Sequence, residues 1–127
     1  MIKKPQIQEF NPVIYPFKLW VGITDDFNNI SDNFRYYPSF DEIERFSEGK
    51  YVAFTHLVEN KENKYLGVLI TFHSISWCTN DYIAHEATHA ARFIWDHLNE
   101  HQTGIEADAY LVQWIVKCIE KVKRGEI

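Results

Sequence analysis

Two histidines with a glutamate between them form the part of this chain that is best suited to chemistry. The sequence His85-Glu86-Ala87-Thr88-His89 has apolar flanks and no Gly or Pro nearby. Side chains four residues apart lie on one face of a helix, about 6 Å apart along its axis, so both imidazoles can reach one metal ion. The intervening glutamate then lies beside the open coordination position. The motif therefore predicts a Zn²⁺ site that could activate water for hydrolysis.

A hydrolytic zinc site needs a third protein ligand, because water takes the fourth position. Three donors follow the motif closely, namely His97, Glu100 and His101. On a continuing helix His97 lies about 12 Å along the axis from His89, whereas a ligand atom must lie about 2 Å from the metal. Glu100 and His101 fail for the same reason. The third histidine of the pattern H-E-x-x-H-x-x-G-x-x-H is also missing, because Trp95 takes its place.

Glu106 is the better candidate for the third ligand. It follows Gly104 in a connector and opens the last predicted helix, with sixteen residues between it and His89. The chain must fold back between about Leu98 and Glu106, and eight residues can span roughly 26 Å, so the return is feasible. Asp108 stays the competing ligand, although it lies two residues further on and points to a different side of the helix.

Strands that could support the motif are predicted in the first part of the chain. Residues 1–12 carry two prolines and are predicted to form an extended arm. Alternating apolar residues predict a strand over 17–23. Two further strands, over 51–58 and 65–73, are joined by a turn at 60–63 and form a hairpin.

Helices are predicted at three places. Ser39 and Glu42 have the spacing of a capping box for a short helix that ends near Phe46, after a polar loop over 25–33. The two long helices cover about 80–98, which includes the motif, and about 105–123. Strands first and long helices last predict an α+β domain.

The composition describes one ordered, acidic domain over residues 1–127. A net charge of −5 with scattered Lys and Arg argues against a nucleic-acid partner. No apolar run approaches the roughly 20 residues of a membrane span, and the N-terminus lacks a signal-peptide pattern. We therefore expect no membrane partner and a cytoplasmic location, or the host cytoplasm or virion if a phage encodes the chain. Cys78 and Cys118 are expected to be reduced and at least partly buried.

The motif and the later glutamate together resemble a known family of metallopeptidases. His85-Glu86-x-x-His89 followed by Glu106 is similar to the gluzincins, of which thermolysin is the familiar member. The short chain looks most like the minimal gluzincins of bacteria and their phages, and the resemblance covers about residues 65–120. It implies a small zincin-like domain, in which a sheet of three strands or slightly more packs on an active-site helix and a C-terminal ligand helix, with one Zn²⁺ per chain.

A second segment adds to this resemblance and also departs from it. Glu106-Ala107-Asp108-Ala109-Tyr110 is similar to the Glu-Ala-Asn pattern of stress-response and phage-immunity metallopeptidases. Thermolysin has an acidic residue four positions after the ligand glutamate, and Tyr110 stands there in this chain.

The family's chemistry implies a role for several residues in cleaving a peptide or protein substrate. Glu86 would be the general base that takes a proton from the zinc-bound water. Tyr110 is the first choice as a donor to the oxyanion because it lies one turn after Glu106, and His73, at a strand end, is the second. Asp108 could orient a ligand histidine from behind. Tyr110 could equally be a half-buried aromatic, and His73 a solvated residue.

Two other functions fit the same residues. The chain could be a non-catalytic binding or assembly protein, for instance a phage accessory or virion component, that retains a zincin scaffold. Zinc could also be purely structural, which requires a fourth protein ligand such as Cys78, His73 or Asp108. The sequence indicates neither the substrate nor the oligomeric state.

Overall fold

A five-stranded mixed sheet forms the centre of the computed structural model, which describes residues 7–12, 17–44, 52–98 and 104–125. Its order is β1-β2-β5-β4-β3, in which β2 and β5 run parallel and the other neighbours run antiparallel. The strands are β1 Ile7–Phe10, β2 Lys18–Ile23, β3 Phe34–Tyr36, β4 Ala53–Asn60 and β5 Leu66–Phe72. The helices are α1 Phe27–Ser31, α2 Asn80–His97 and α3 Ile105–Lys123, with a 3₁₀ turn at Ile75–Trp77.

The two long helices cover one face of the sheet. Helix α2 lies over β4 and β5, while α3 lies over β2 and packs along α2. Alternate residues of β5, Val68, Ile70 and Phe72, join the buried cluster under these helices. The small side chains of Ala87 and Ala90 let α2 approach the sheet closely. This packing fixes the height and rotation of the helix that carries the His-Glu motif.

The opposite face of the sheet has its own smaller core. Trp20, Phe34 and Leu69 lie in it, and Ile30 of α1 helps to cover it. Strand β5 is therefore buried on both faces, which explains its nearly continuous apolar sequence. Gly67 is required in this strand, since an added Cβ would come within 2.3 Å of the carbonyl oxygen of Lys18.

The predicted α+β class, the hairpin of β4 and β5, and both long helices are confirmed, with ends that differ by a few residues at most. The sheet has five strands, where the resemblance implies three or slightly more. Residues 7–10, predicted as part of an arm, pair with β2 as an edge strand. The loop predicted over 25–33 contains α1, whose first turn is capped by the Asp26 carboxylate.

The short helix predicted from Ser39 is wrong over its described part, residues 39–44. The Ser39 hydroxyl accepts a hydrogen bond from the amide of Asp41, two residues on, which makes a local turn. Phe40 has a φ of 62°, outside the helical region, and Glu42 forms an isolated bridge with Arg35 of β3. The rest of the predicted helix, residues 45 and 46, lies outside the described residues. None of the described helices is long and apolar enough to cross a membrane.

Candidate functional site

The two histidines of the motif lie side by side on the exposed face of α2. Their Nε2 atoms are 3.2 Å apart, and their rings meet at 78° with centroids 4.7 Å apart. Two nitrogen ligands of a tetrahedral zinc ion, each about 2.0–2.1 Å from the metal, are separated by about 3.3–3.4 Å. The spacing of His85 and His89 therefore fits a shared metal ion, and both residues are open to solvent.

Glu86 points in a different direction, because the next residue along a helix is rotated by about 100°. Glu86 is only 6% exposed and lies beneath the histidines, against the sheet. The Thr55 hydroxyl of β4 donates a hydrogen bond of 2.8 Å to Glu86 Oε1. The other carboxylate oxygen, Oε2, lies 3.9 Å from Nε2 of His85. A carboxylate is thus held beside the first predicted metal ligand.

His56 follows Thr55 on β4, and its side chain lies on the opposite face of the sheet because strand residues alternate. Its ring packs between those of Tyr36 and Phe54, with centroids 5.0 Å from each. Burial lowers the pKa of His56, and the negative charges of Glu86 and Glu44 oppose this effect in part. The charge of Glu86 therefore acts on the pKa of His56, which lies on the other face of the sheet.

Glu106, the predicted third ligand, lies in the exposed first turn of α3. Within residues 7–12, 17–44, 52–98 and 104–125, no three His, Cys, Asp or Glu side chains are arranged to hold a metal ion. The structure thus brings together His85 and His89 but does not add Glu106 to them. The role of Glu106 stays a prediction.

Asp108, the competing carboxylate, is half-buried and faces the motif across a cavity between α2 and α3. The cavity has a volume of about 350 Å³ and is lined by Thr88, His89, Ala91, Arg92, Trp95, Asp108 and Val112. Of the two candidate ligands Glu106 and Asp108, Asp108 lines this cavity together with His89. This position also suits the predicted orienting role of Asp108 toward His89.

The two predicted oxyanion donors lie on different elements, Tyr110 in α3 and His73 at the end of β5. Tyr110 is 65% exposed, and no hydrogen bond joins its hydroxyl to another described residue. His73 directly follows β5, where its backbone amide donates to the Val52 carbonyl and its side chain is half-buried. These positions test neither role, so both stay predictions.

Other potential metal ligands in the sequence are His97, Cys78, Cys118, Glu100 and His101. His97 packs on Phe17, with ring centroids 4.4 Å apart. Burial raises the pKa of the Cys78 thiol to about 11 and that of Cys118 to about 12, and both cysteines are free and buried, as predicted. His101 and Glu100 lie outside the described residues.

Thr55 is the site residue that the sequence analysis does not identify. Ala53, Thr55 and Leu57 alternate on the helix-facing side of β4, so a single hydroxyl interrupts an apolar row. A polar residue in such a row needs a buried hydrogen-bond partner, and this requirement is the signal that could have identified Thr55.

The chain was compared with known proteins in three ways. No protein-family model matches it, and no curated protein or solved structure is significantly similar to it.

Proposed function

We propose that this chain is a zinc-dependent peptidase in which His85, His89 and Glu106 hold the metal and Glu86 is the general base. One observation carries the proposal: two imidazole nitrogens lie 3.2 Å apart, next to a buried carboxylate whose Oε2 is 3.9 Å from one of them. Metal ligands and a base in this relation are what water activation requires.

The chemistry divides between the metal and Glu86. When bound, zinc lowers the pKa of its water toward neutrality and polarises the substrate carbonyl. Glu86 accepts one proton as the water oxygen bonds to the carbonyl carbon, and it returns this proton to the amine nitrogen as the C–N bond breaks. The low exposure of Glu86 keeps bulk water from competing for that proton.

Helix α3 would supply the rest of the site. Glu106 and Tyr110 are one turn apart on the same side of this helix, so a rotation that brings one to the histidines also brings the other. In that arrangement Tyr110 would donate to the oxyanion, with His73 as the second candidate. Asp108 lies two residues from Glu106 and points to a different side of α3, so it would orient the His89 ring only in the arrangement in which it faces that residue across the cavity.

The proposed substrate is an extended peptide. Of the residues of β4, Val58–Asn60 at one end are those that pair with β3. No described strand pairs with the outer edge of β4 at residues 53–56, which includes Thr55 under Glu86. An extended peptide can add to such an edge through backbone hydrogen bonds. A peptide bound there would lie beside the general base.

A second function, a binding or assembly protein without catalysis, has one observation in its favour. The described residues contain no complete set of three metal ligands. A protein that keeps only the scaffold would show this incomplete set, whereas a peptidase must complete it.

The test measures zinc content and peptide cleavage together in four forms of the full chain. These are the wild type, Glu86→Gln, His89→Gln and His97→Gln, where the last variant removes a histidine of the same helix that packs on Phe17 instead. We expect about one zinc per chain in all except His89→Gln, because a catalytic zinc needs three protein ligands. A pool of synthetic peptides, analysed by mass spectrometry, should be cleaved by the wild type and His97→Gln.

Glu86→Gln separates the two functions most sharply. Its rate should fall by about 10²- to 10⁴-fold, the usual contribution of a general base, while its zinc content stays the same. Zinc in the wild type without cleavage would favour the binding protein. Equal cleavage by the wild type and Glu86→Gln, or a wild type without zinc, would reject the peptidase.

A further inference from the structure

The two carboxylate oxygens of Glu86 have different surroundings. Oε1 accepts the hydrogen bond from Thr55, and both residues are buried, with exposures of 6% for Glu86 and 8% for Thr55. Oε2 lies on the side of His85. The Glu86 carboxylate therefore has a defined orientation, with Oε1 bonded to Thr55 and Oε2 on the side of His85.

The anchor itself is rigid. Thr55 lies within β4, opposite Ile70 of β5, and its β-branched side chain has few rotamers. A threonine hydroxyl has one proton to donate. Among the described residues its other acceptor is the backbone oxygen of Glu86, at 3.4 Å, so the bond of 2.8 Å to Oε1 is the better one. Losing this bond would leave a buried carboxylate oxygen without its donor, which is costly.

We infer that Thr55 is a positioning residue, which fixes Oε1 of Glu86 so that Oε2 is the oxygen that meets the reacting atoms. This inference rests on the proposed function. Oε2 takes one proton from the water whose oxygen bonds to the carbonyl carbon. The same proton then passes from Oε2 to the leaving nitrogen as the C–N bond breaks, so the carboxylate ends unchanged.

The chain offers a matched control for this bond. Thr71 lies on the neighbouring strand β5, is fully buried, and has no hydrogen-bond partner for its hydroxyl among the described residues. It belongs to the opposite face of the sheet from Thr55, because its β4 neighbour is Phe54. Thr71→Val therefore makes the same chemical change in the same sheet without touching Glu86.

The first experiment is steady-state peptide cleavage by the wild type, Thr55→Val, Thr55→Ser and Thr71→Val. A misplaced catalytic group can cost about 100-fold, so we expect kcat of Thr55→Val to fall about 10- to 100-fold with KM within about twofold. Thr55→Ser keeps the hydroxyl and should restore most of kcat. Thr71→Val should match the wild type. Equal kcat in the wild type and Thr55→Val, or equal losses in Thr55→Val and Thr71→Val, would overturn the inference.

A second measurement does not depend on activity. The carboxyl carbon of Glu86 is followed by NMR at constant pH in protein labelled with ¹³C-glutamate and assigned from its absence in Glu86→Gln. We expect its signal to move in Thr55→Val, to return toward the wild-type position in Thr55→Ser, and to stay in place in Thr71→Val. An unmoved signal in Thr55→Val would overturn the inference. An inactive wild type with these shifts would reject the peptidase and support the Thr55 anchor.

A further pair of variants covers the case in which Thr55→Val does not fold. Thr55→Ser and Thr55→Ala remove similar volume and differ in the hydroxyl alone. The inference requires a higher kcat in Thr55→Ser than in Thr55→Ala, together with a Glu86 signal closer to that of the wild type. Identical behaviour of the two would overturn it.

Discussion

The middle of α2 and the beginning of α3 both carry residues of the predicted site, but the fold holds them very differently. Glu86 in α2 is buried and bonded to Thr55 of the sheet, and Ala87 and Ala90 beside it lie in the main core. The first turns of α3 are exposed, with Ile105 at 86% and Tyr110 at 65%. Gly104, the cap of α3, provides no side-chain hydrogen bond.

This difference shows which part of the predicted site the motif forms by itself and which part needs the packing of another helix. His85 and His89 are four residues apart, so the helix brings their nitrogens together without help from another element. Glu106 must be carried to the same place by the packing of α3, and that packing begins only at Leu111, the first buried residue of the helix. The histidine pair is thus formed locally, whereas the position of the predicted third ligand depends on tertiary structure.

We expect the core position of α2 and the first turn of α3 to differ strongly in their contribution to the free energy of unfolding. Ile94→Ala removes a fully buried side chain of α2 and should lower the free energy of unfolding by about 2–5 kcal/mol. Ile105→Ala makes the same change at an exposed position of α3 and should change it by less than about 0.5 kcal/mol. Urea unfolding of both variants measures the difference. Similar midpoints for the two would show that α3 is held as firmly at its beginning as α2 is in its middle.

Glu106 and Asp108 are the two carboxylates of α3 that could complete the proposed zinc site. We expect Glu106→Gln to weaken zinc binding more than about 100-fold, because it removes a ligand. Asp108→Asn should weaken binding only about 10- to 100-fold, as loss of an orienting partner does. Competition with a zinc chelator gives both affinities.

The reverse order would make Asp108 the ligand, in keeping with its place on the cavity wall beside His89. Lys117→Gln, an exposed change further along α3, serves as the control that should leave the affinity unaltered.

The sequence predicts the parts of this molecule that depend on local spacing. The hairpin, both long helices and the histidine pair follow from periodicity, and the structure contains them all. The contact between Thr55 and Glu86 joins residues 31 positions apart, and no local pattern contains it. The capping-box spacing at Ser39 fails because its hydroxyl is used in a turn and Glu42 pairs with Arg35. The capping signal at Ser39 was thus overruled by a local turn and by pairing with the neighbouring strand β3.

On the far side of the sheet, burial and the charge of Glu86 act on the pKa of His56 in opposite directions. Burial lowers the pKa of His56 below its usual 6.5 in the folded state, so the unfolded chain binds this proton more readily. The neutral ring therefore contributes stability that is present above pH 6.5 and is lost as the pH falls through the lowered pKa.

The stability advantage of the wild type over His56→Gln should shrink across this range, by well under the roughly 1.4 kcal/mol per pH unit that one fully buried group allows. Denaturant unfolding of both proteins at several pH values measures it. The same series on Glu86→Gln tests the charge, because removing the group that favours protonated His56 should lower its pKa further, so that the loss of stability extends to lower pH and becomes larger. A wild type and His56→Gln with parallel pH profiles would mean that the proton on His56 is not linked to folding.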